Sequence, residues 1–133
     1  MSKSIVTTIF VIFTLLALTT IFMSTGYFLI VFIIVMPPAM ILHFLAWYRG
    51  IKRHTETYIW IMLSSTIFLV FSLLRLDKDA NGVYNGYQAV LYYLGKSALP
   101  HGESLAYSLE ISLTLLLTMI ILDAITLRKA VKK

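Results

Sequence analysis

Oxygen-bearing side chains occupy alternate positions in a short polar stretch that begins at Asp77. Asp79 and Asn81 follow at two-residue intervals, and Gly82 comes next. In calcium-binding loops this spacing wraps carboxylate and amide oxygens around one ion, and the glycine permits a sharp turn. Asn-Gly and clustered aspartates also favour polar turns that bind no metal. The stretch therefore predicts either a calcium site or a metal-free turn.

The segment 77–88 resembles the loop of an EF-hand. The resemblance implies a calcium ion held by side-chain oxygens and one backbone carbonyl, from Asp77, Asp79, Asn81, Val83 and Gln88. Gln88 stands where the family has a bidentate glutamate, so a charge and a ligand atom are lost. Any calcium affinity is therefore expected to be weak, with a Kd of about 10⁻⁴ to 10⁻³ M.

The carboxylate of Glu110 falls inside the last of several apolar runs, where an unpaired ionisable group is costly. Its helical face also carries hydroxyl groups, from Tyr107, Thr114 and Thr118. One hypothesis is a pathway for a proton or cation along this face. The other is a structural carboxylate paired with Arg75, Lys96 or a residue of another subunit. We favour the structural hypothesis because a single carboxylate makes a poor relay.

Met36, Met40 and His43 are spaced as i, i+4 and i+7, so a helix places them on one face. Thioether and imidazole ligands suit soft metals such as Cu(I), and one axial histidine would hold a haem shared with another subunit. The alternative is packing, because methionines fill irregular space beside Pro37 and Pro38. Local hydrolase, metalloprotease and nucleotide-binding motifs are absent from the sequence. We therefore favour a chain without catalytic activity of its own.

Membrane-spanning helices are the elements that must position these residues. Hydrophobic residues make up 59% of the 133-residue chain, well above the fraction in soluble domains. Cysteine is absent, and the basic residues do not form the aromatic-interleaved patch that binds nucleic acid. The apolar runs predict one all-α integral membrane domain, residues 1–133, with four transmembrane helices in two antiparallel hairpins. The predicted spans are residues 4–23, 27–48, 58–74 and 105–127.

The segment 75–103 is a polar insert between the third and fourth spans. Within it, residues 84–95 have the apolar spacing and the tyrosines of a short amphipathic helix in the headgroup layer. Eight of the eleven lysines and arginines lie near the chain ends or in the 49–56 loop. The positive-inside rule therefore predicts cytoplasmic N- and C-termini and an extracytoplasmic insert. Asp123 is expected at the cytoplasmic edge of the last span, without a role.

Three functions are consistent with these features. We favour a non-catalytic accessory or assembly subunit of a larger membrane complex, for example a respiratory or metal-dependent membrane oxidase or monooxygenase. It would dock through the fourth span and the insert. The second hypothesis is a small homo-oligomeric channel or transporter with a pathway near Glu110. The third is a metal- or haem-binding redox subunit that uses His43.

Overall fold

The computed structural model describes residues 2–23, 28–53, 55–78, 83–95 and 108–131. Within these residues the chain forms five α-helices, one 3-10 turn and a two-stranded antiparallel ribbon. In chain order the elements are α1 (Lys3–Phe22), α2 (Phe28–Arg53), the 3-10 turn (Thr55–Thr57), α3 (Tyr58–Leu74), β1 (Leu76–Lys78), β2 (Val83–Asn85), α4 (Gly86–Tyr93) and α5 (Ser108–Val131). The predicted all-α class is confirmed.

Three of the helices are long and apolar enough to cross a membrane, through the segments Lys3–Phe22, Ile33–Arg53 and Glu110–Val131. α3 is also apolar but has 17 residues. At 1.5 Å per residue that is about 26 Å, near the lower limit for a hydrocarbon core of about 30 Å. Membrane-spanning character is therefore supported for three helices, and the fourth crossing stays a prediction.

α3 lies at the centre of the helix packing. It packs most extensively against α1 and α5, and α2 packs mainly against α5. α1 and α2 are neighbours in the sequence but contact each other little. The second predicted hairpin requires close contact of α3 with α5, which the structure has. The first predicted hairpin pairs α1 with α2, but α1 packs mainly against α3. The arrangement in two hairpins stays a prediction.

Two apolar clusters fill the space between the helices. The larger one consists of Ala17, Ile21, Met36, Ala39, Phe68, Phe71, Leu116 and Met119. The smaller one consists of Val6, Phe10, Ile51 and Ile61. The ring of His43 lies 4.8 Å from that of Phe10 and 5.5 Å from that of Phe68, measured between centroids. A titratable side chain therefore lies where the two apolar clusters meet.

β1 and β2 form an antiparallel ribbon on either side of the predicted turn. Leu76 pairs with Asn85, and Asp77 pairs with Tyr84. The sequence predicts a turn or a calcium loop here, and the two strands are a finding of the structure. The ribbon arises because the chain leaves α3 at Arg75 and returns to the same end of that helix, where the N–H of Gly86 donates to the Arg75 carbonyl at 3.1 Å.

α4 begins directly after β2 with a capping box. The side chain of Asn85 accepts the N–H of Gln88 at 2.9 Å, and the side chain of Gln88 accepts the N–H of Asn85 at 2.8 Å. These bonds satisfy two backbone donors at the helix start. The helix predicted within residues 84–95 is confirmed over Gly86–Tyr93. Its location in the headgroup layer stays a prediction.

Candidate functional site

Four polar side chains meet inside the bundle, one each from α1, α2, α3 and α5. They are Thr14, His43, Ser64 and Asp123, here called the His43–Asp123 cluster. Their exposed fractions are 2%, 1%, 0% and 1%, in that order. The cluster is therefore enclosed by protein on every side, and each of these helices contributes to it from its buried face.

The hydrogen-bonded contact between His43 and Asp123 is the centre of the cluster. Nδ1 of His43 lies 2.9 Å from Oδ2 of Asp123. The hydroxyl of Ser64 donates to Oδ1 of Asp123 at 2.5 Å, and its oxygen lies 3.2 Å from Nδ1 of His43. On the other side of the ring, Nε2 lies 3.4 Å from the hydroxyl oxygen of Thr14. Both ring nitrogens and both carboxylate oxygens therefore have partners.

Aromatic rings form part of the enclosure. Phe10 packs on the imidazole, and Trp47 stacks on Phe10 with ring centroids 4.9 Å apart and an interplanar angle of 9°. Phe68 approaches His43 from α3. Apolar surroundings of this kind lower the local dielectric, which strengthens hydrogen bonds between paired groups and makes an unpaired charge costly.

Thr14 allows the cluster to hold either protonation state of His43. An imidazole protonated at Nδ1 donates to Asp123 and accepts the Thr14 hydroxyl proton at Nε2. An imidazolium donates from both nitrogens, and the same hydroxyl then accepts. The change of the Thr14 hydroxyl from donor to acceptor needs only rotation of that hydroxyl group. One added proton takes the His43–Asp123 pair from a net charge of −1, with a neutral imidazole, to a neutral ion pair.

The arrangement differs from that of a Ser-His-Asp hydrolase. In such a triad the nucleophilic hydroxyl bonds Nε2 and the carboxylate bonds Nδ1. Here Ser64 binds the carboxylate and lies on the Nδ1 side of the ring. Thr14 lies on the Nε2 side but is buried. The geometry suits holding a proton better than attacking a substrate.

Asp123 is the residue whose predicted interfacial surroundings are wrong. It was expected at the cytoplasmic edge, near Arg128 and Lys129, without a role. The structure instead buries Asp123 against His43, which lies 80 positions earlier in the chain. The signal available in the sequence was an ionisable residue inside an apolar run, which is a functional candidate by default. Local motifs did not reveal the site because Ser64, His43 and Asp123 come from three different helices.

The structure places the methionines and the histidine of the proposed metal face of α2 in different surroundings. Met36 is buried in the larger apolar cluster, and Met40 is partly buried against it. Both methionines line an apolar groove of about 270 Å³ beside Pro37. Both nitrogens of His43 already have partners, so a copper or haem ligand there would displace Asp123 or Thr14. Copper and haem binding therefore stay predictions, and the packing interpretation has direct support.

Glu110 lies away from the bundle interior. Glu110 and Thr114 are exposed on the surface of α5. Thr118 is partly buried, and its hydroxyl donates to the Thr114 carbonyl at 2.7 Å. Tyr107 lies outside the described residues. A pathway along this face would therefore need a partner subunit to enclose it, and it stays a prediction.

A second buried polar group lies at the opposite end of α3. Arg75, Asp77 and Tyr84 are all buried. Arg75 donates from Nη2 to the Thr20 carbonyl of α1 at 2.8 Å, and the Tyr84 hydroxyl lies 3.5 Å from Oδ2 of Asp77. Burial lowers the pKa of the Arg75 guanidinium, and the negative charge of Asp77 acts in the opposite direction. This group joins α1 and α3 to the ribbon.

The predicted calcium ligands are engaged in part by these contacts. Asp77 belongs to the buried Arg75 group, and the Gln88 side chain closes the capping box. Val83 lies in β2 opposite Lys78. Asp79 and Asn81 lie outside the described residues. The calcium site stays a prediction, and filling it would require Asp77 and Gln88 to leave their present partners.

The class of this protein is assigned from its fold and its site. No protein-family model, curated protein or solved structure matches it. The class is therefore defined by the architecture: an all-α protein whose described residues include three helices able to cross a membrane. Its interior holds a hydrogen-bonded His–Asp pair.

Proposed function

We propose that this chain is a proton-binding membrane protein whose functional centre is the His43–Asp123 cluster. The observation that carries the proposal is that two helices supply an enclosed ionisable pair and two further helices each direct a hydroxyl group to it. Ionisable residues inside membrane bundles are rare and commonly mark proton relays or ion pathways. The hydroxyl of Thr14 adds the property that such a centre needs, since it can serve both protonation states.

Proton binding and helix packing would be coupled at this centre. With the additional proton, His43 and Asp123 form a neutral ion pair between α2 and α5, and Ser64 joins α3 to it. Without that proton, a net negative charge lies in the low-dielectric interior, which weakens the packing of the helices around it. This difference in helix packing between the two protonation states supports a proton-linked conformational change. The chain would be a small transporter or a subunit of one.

The proposal includes a topology of four spans in two antiparallel hairpins. α3 would be the short third span, and its central position between α1 and α5 supports placing it in the membrane. The charge distribution supports cytoplasmic N- and C-termini and an extracytoplasmic insert over residues 75–103. The His43–Asp123 cluster would then lie in the cytoplasmic half of the bundle, and the Arg75 group in the opposite half.

The first test follows the protonation of His43, one of three histidines in the chain. Replacing His54 and His101 with Gln leaves His43 as the only imidazole for nitrogen NMR in micelles, recorded from about pH 4 to 9. The proposal requires this ring to exchange a proton as the pH changes, and we expect Asp123→Asn to alter that exchange. Glu110→Gln is the matched control, because it removes a carboxylate that is exposed on the surface of α5, outside the bundle interior. A ring that keeps one protonation state, or equal effects of the two substitutions, would contradict the proposal.

A second candidate function is supported by the surface of α5. Glu110 is an exposed carboxylate beside exposed apolar side chains, and the same helix exposes Leu113 and Leu117. In lipid, helix association depends on packing and on polar contacts between helices, so an exposed carboxylate in a span favours a partner that offers a donor. The chain would then be an accessory or assembly subunit of a larger membrane complex, such as a respiratory or metal-dependent membrane oxidase or monooxygenase.

The subunit function is tested by purification in a mild detergent. We expect a complex larger than this chain, and we expect Glu110→Arg with Leu117→Arg to release the chain from it. Leu15→Arg is a matched control because Leu15 is equally exposed, on α1. Recovery of a complex that contains only this chain would instead favour the homo-oligomeric channel or transporter. Recovery of a monomer without other subunits would contradict both.

A further inference from the structure

A basic pocket lies where the last turns of α2 and α5 come together. It has a volume of about 390 Å³ and is lined by Arg49, Lys52 and Arg53 of α2 and by Ala130 and Val131 of α5. One wall is therefore cationic and the other is apolar. Within the described residues the three cations form no salt bridge, and the nearby carboxylate Glu56 is exposed and does not line the pocket.

We infer that this pocket binds the phosphate group of an anionic phospholipid. Arginine and lysine side chains supply the donors and the charge that a phosphate requires. The apolar α5 wall suits the glycerol and the first acyl carbons, which a free anion does not have. Basic pockets between membrane helices on the cytoplasmic side are suited to such head groups. The inference depends on the chain being embedded in a membrane and is independent of proton binding at His43.

Aromatic side chains support a location at the membrane interface. The ammonium group of Lys52 lies 3.7 Å from the centroid of the Tyr48 ring and also donates to the Tyr48 hydroxyl. The ammonium group of Lys129 lies 5.4 Å from the centroid of the Trp60 ring. Tyrosine and tryptophan are enriched at the level of the head groups. Tyr48 and Trp60 would then lie at the level of the head groups, at the same end of the bundle as the pocket.

The binding of such a lipid would join the ends of the two helices that carry His43 and Asp123. α2 contributes the cationic wall and α5 contributes the apolar wall. A lipid seated between them would add contacts to both helices at once. The composition of the bilayer would then influence the packing of this pair of helices.

The test counts lipids that stay bound to the full-length protein in detergent, where no anionic surface surrounds it. Phosphatidylglycerol is the probe, phosphatidylcholine is the neutral comparison, and native mass spectrometry is the readout. We expect one retained phosphatidylglycerol, with affinity reduced about thirtyfold in Lys52→Gln with Arg53→Gln. The double variant Lys52→Arg with Arg53→Lys exchanges the two residue types and keeps both positive charges, so it is expected to retain the lipid.

The matched control removes the same charge from the same end of the molecule. Arg128 and Lys129 are exposed on α5 and do not line the pocket. Replacing both with Gln is expected to leave lipid retention within a factor of about three. Equal losses from the two double variants would show general electrostatic attraction and overturn the inference. Equal retention of phosphatidylcholine, or full displacement of the lipid by millimolar inorganic phosphate, would overturn it as well.

Discussion

Replacing His43 with Leu is expected to lower the free energy of unfolding by about 3–5 kcal/mol, which is the largest loss we anticipate for a single substitution. The substitution leaves the buried carboxylate of Asp123 with Ser64 as its remaining partner among the four residues of the cluster. An uncompensated charge in a low-dielectric interior accounts for most of the loss, because leucine fills a volume similar to that of histidine. Unfolding of the purified protein, followed while a denaturing detergent is titrated into mild micelles, measures the effect.

The double substitution His43→Leu with Asp123→Leu decides whether the loss arises from charge. Replacing both members of a buried ion pair with apolar residues is often neutral for stability, so much of the loss is expected to be recovered. Thr66→Val serves as the control on α3, because Thr66 is exposed and its hydroxyl donates to the Met62 carbonyl of its own helix. It should cost less than about 0.5 kcal/mol. A double variant whose loss of stability equals the sum of the losses from His43→Leu alone and Asp123→Leu alone would show that the two residues do not act as paired charges.

Gly86→Ala is expected to destabilise the protein by about 3 kcal/mol, at the upper end of the range for overpacking. A Cβ atom added at Gly86 would lie 2.0 Å from the carbonyl oxygen of Ser72 and 3.3 Å from the Cα atom of Leu73. Both atoms belong to the backbone of α3, so a side-chain rotation cannot relieve the overlap. α4 and the ribbon would have to move away from the end of the bundle.

The sign of the Gly86 effect is diagnostic. Alanine has a higher helix propensity than glycine, so propensity alone predicts a more stable α4. Tyr87→Ala provides the control on the same helix, because Tyr87 is exposed and should change stability by less than about 0.5 kcal/mol. Melting temperature and limited proteolysis of the 75–103 insert measure the outcome. A stabilised Gly86→Ala variant would contradict the close docking of α4 on α3.

Two buried polar groups give the bundle different chemistry at its two ends. The His43–Asp123 cluster joins four helices through a hydrogen-bonded His–Asp contact and two hydroxyl groups. The Arg75 group holds the end of α3 against α1 and beneath the ribbon. The apolar cluster around Phe68 separates them along α3. Under the proposed function, a change in proton binding at the first group would act on the same helix that anchors the polar insert.

The membrane class and the helix positions were predictable because they depend on local properties. Long apolar runs exclude a soluble fold and favour helices, since backbone groups in lipid must be satisfied within the segment. The helix after the ribbon was predictable from the spacing of residues 84–95, and its capping box is also local. Its beginning was placed two residues too early, because the pairing of Tyr84 with Asp77 in the ribbon overrides the helical pattern there.

The sequence by itself determined that this is a helical protein with apolar spans, together with the polar character of its insert. Only the tertiary structure decided that His43 and Asp123 form a pair, and that Asp77 is buried beside Arg75 instead of standing free in a loop. The physical reason is that such contacts depend on which helices are neighbours and which faces they turn toward each other. Apolar runs carry little of that information, because lipid and protein interior accept the same side chains.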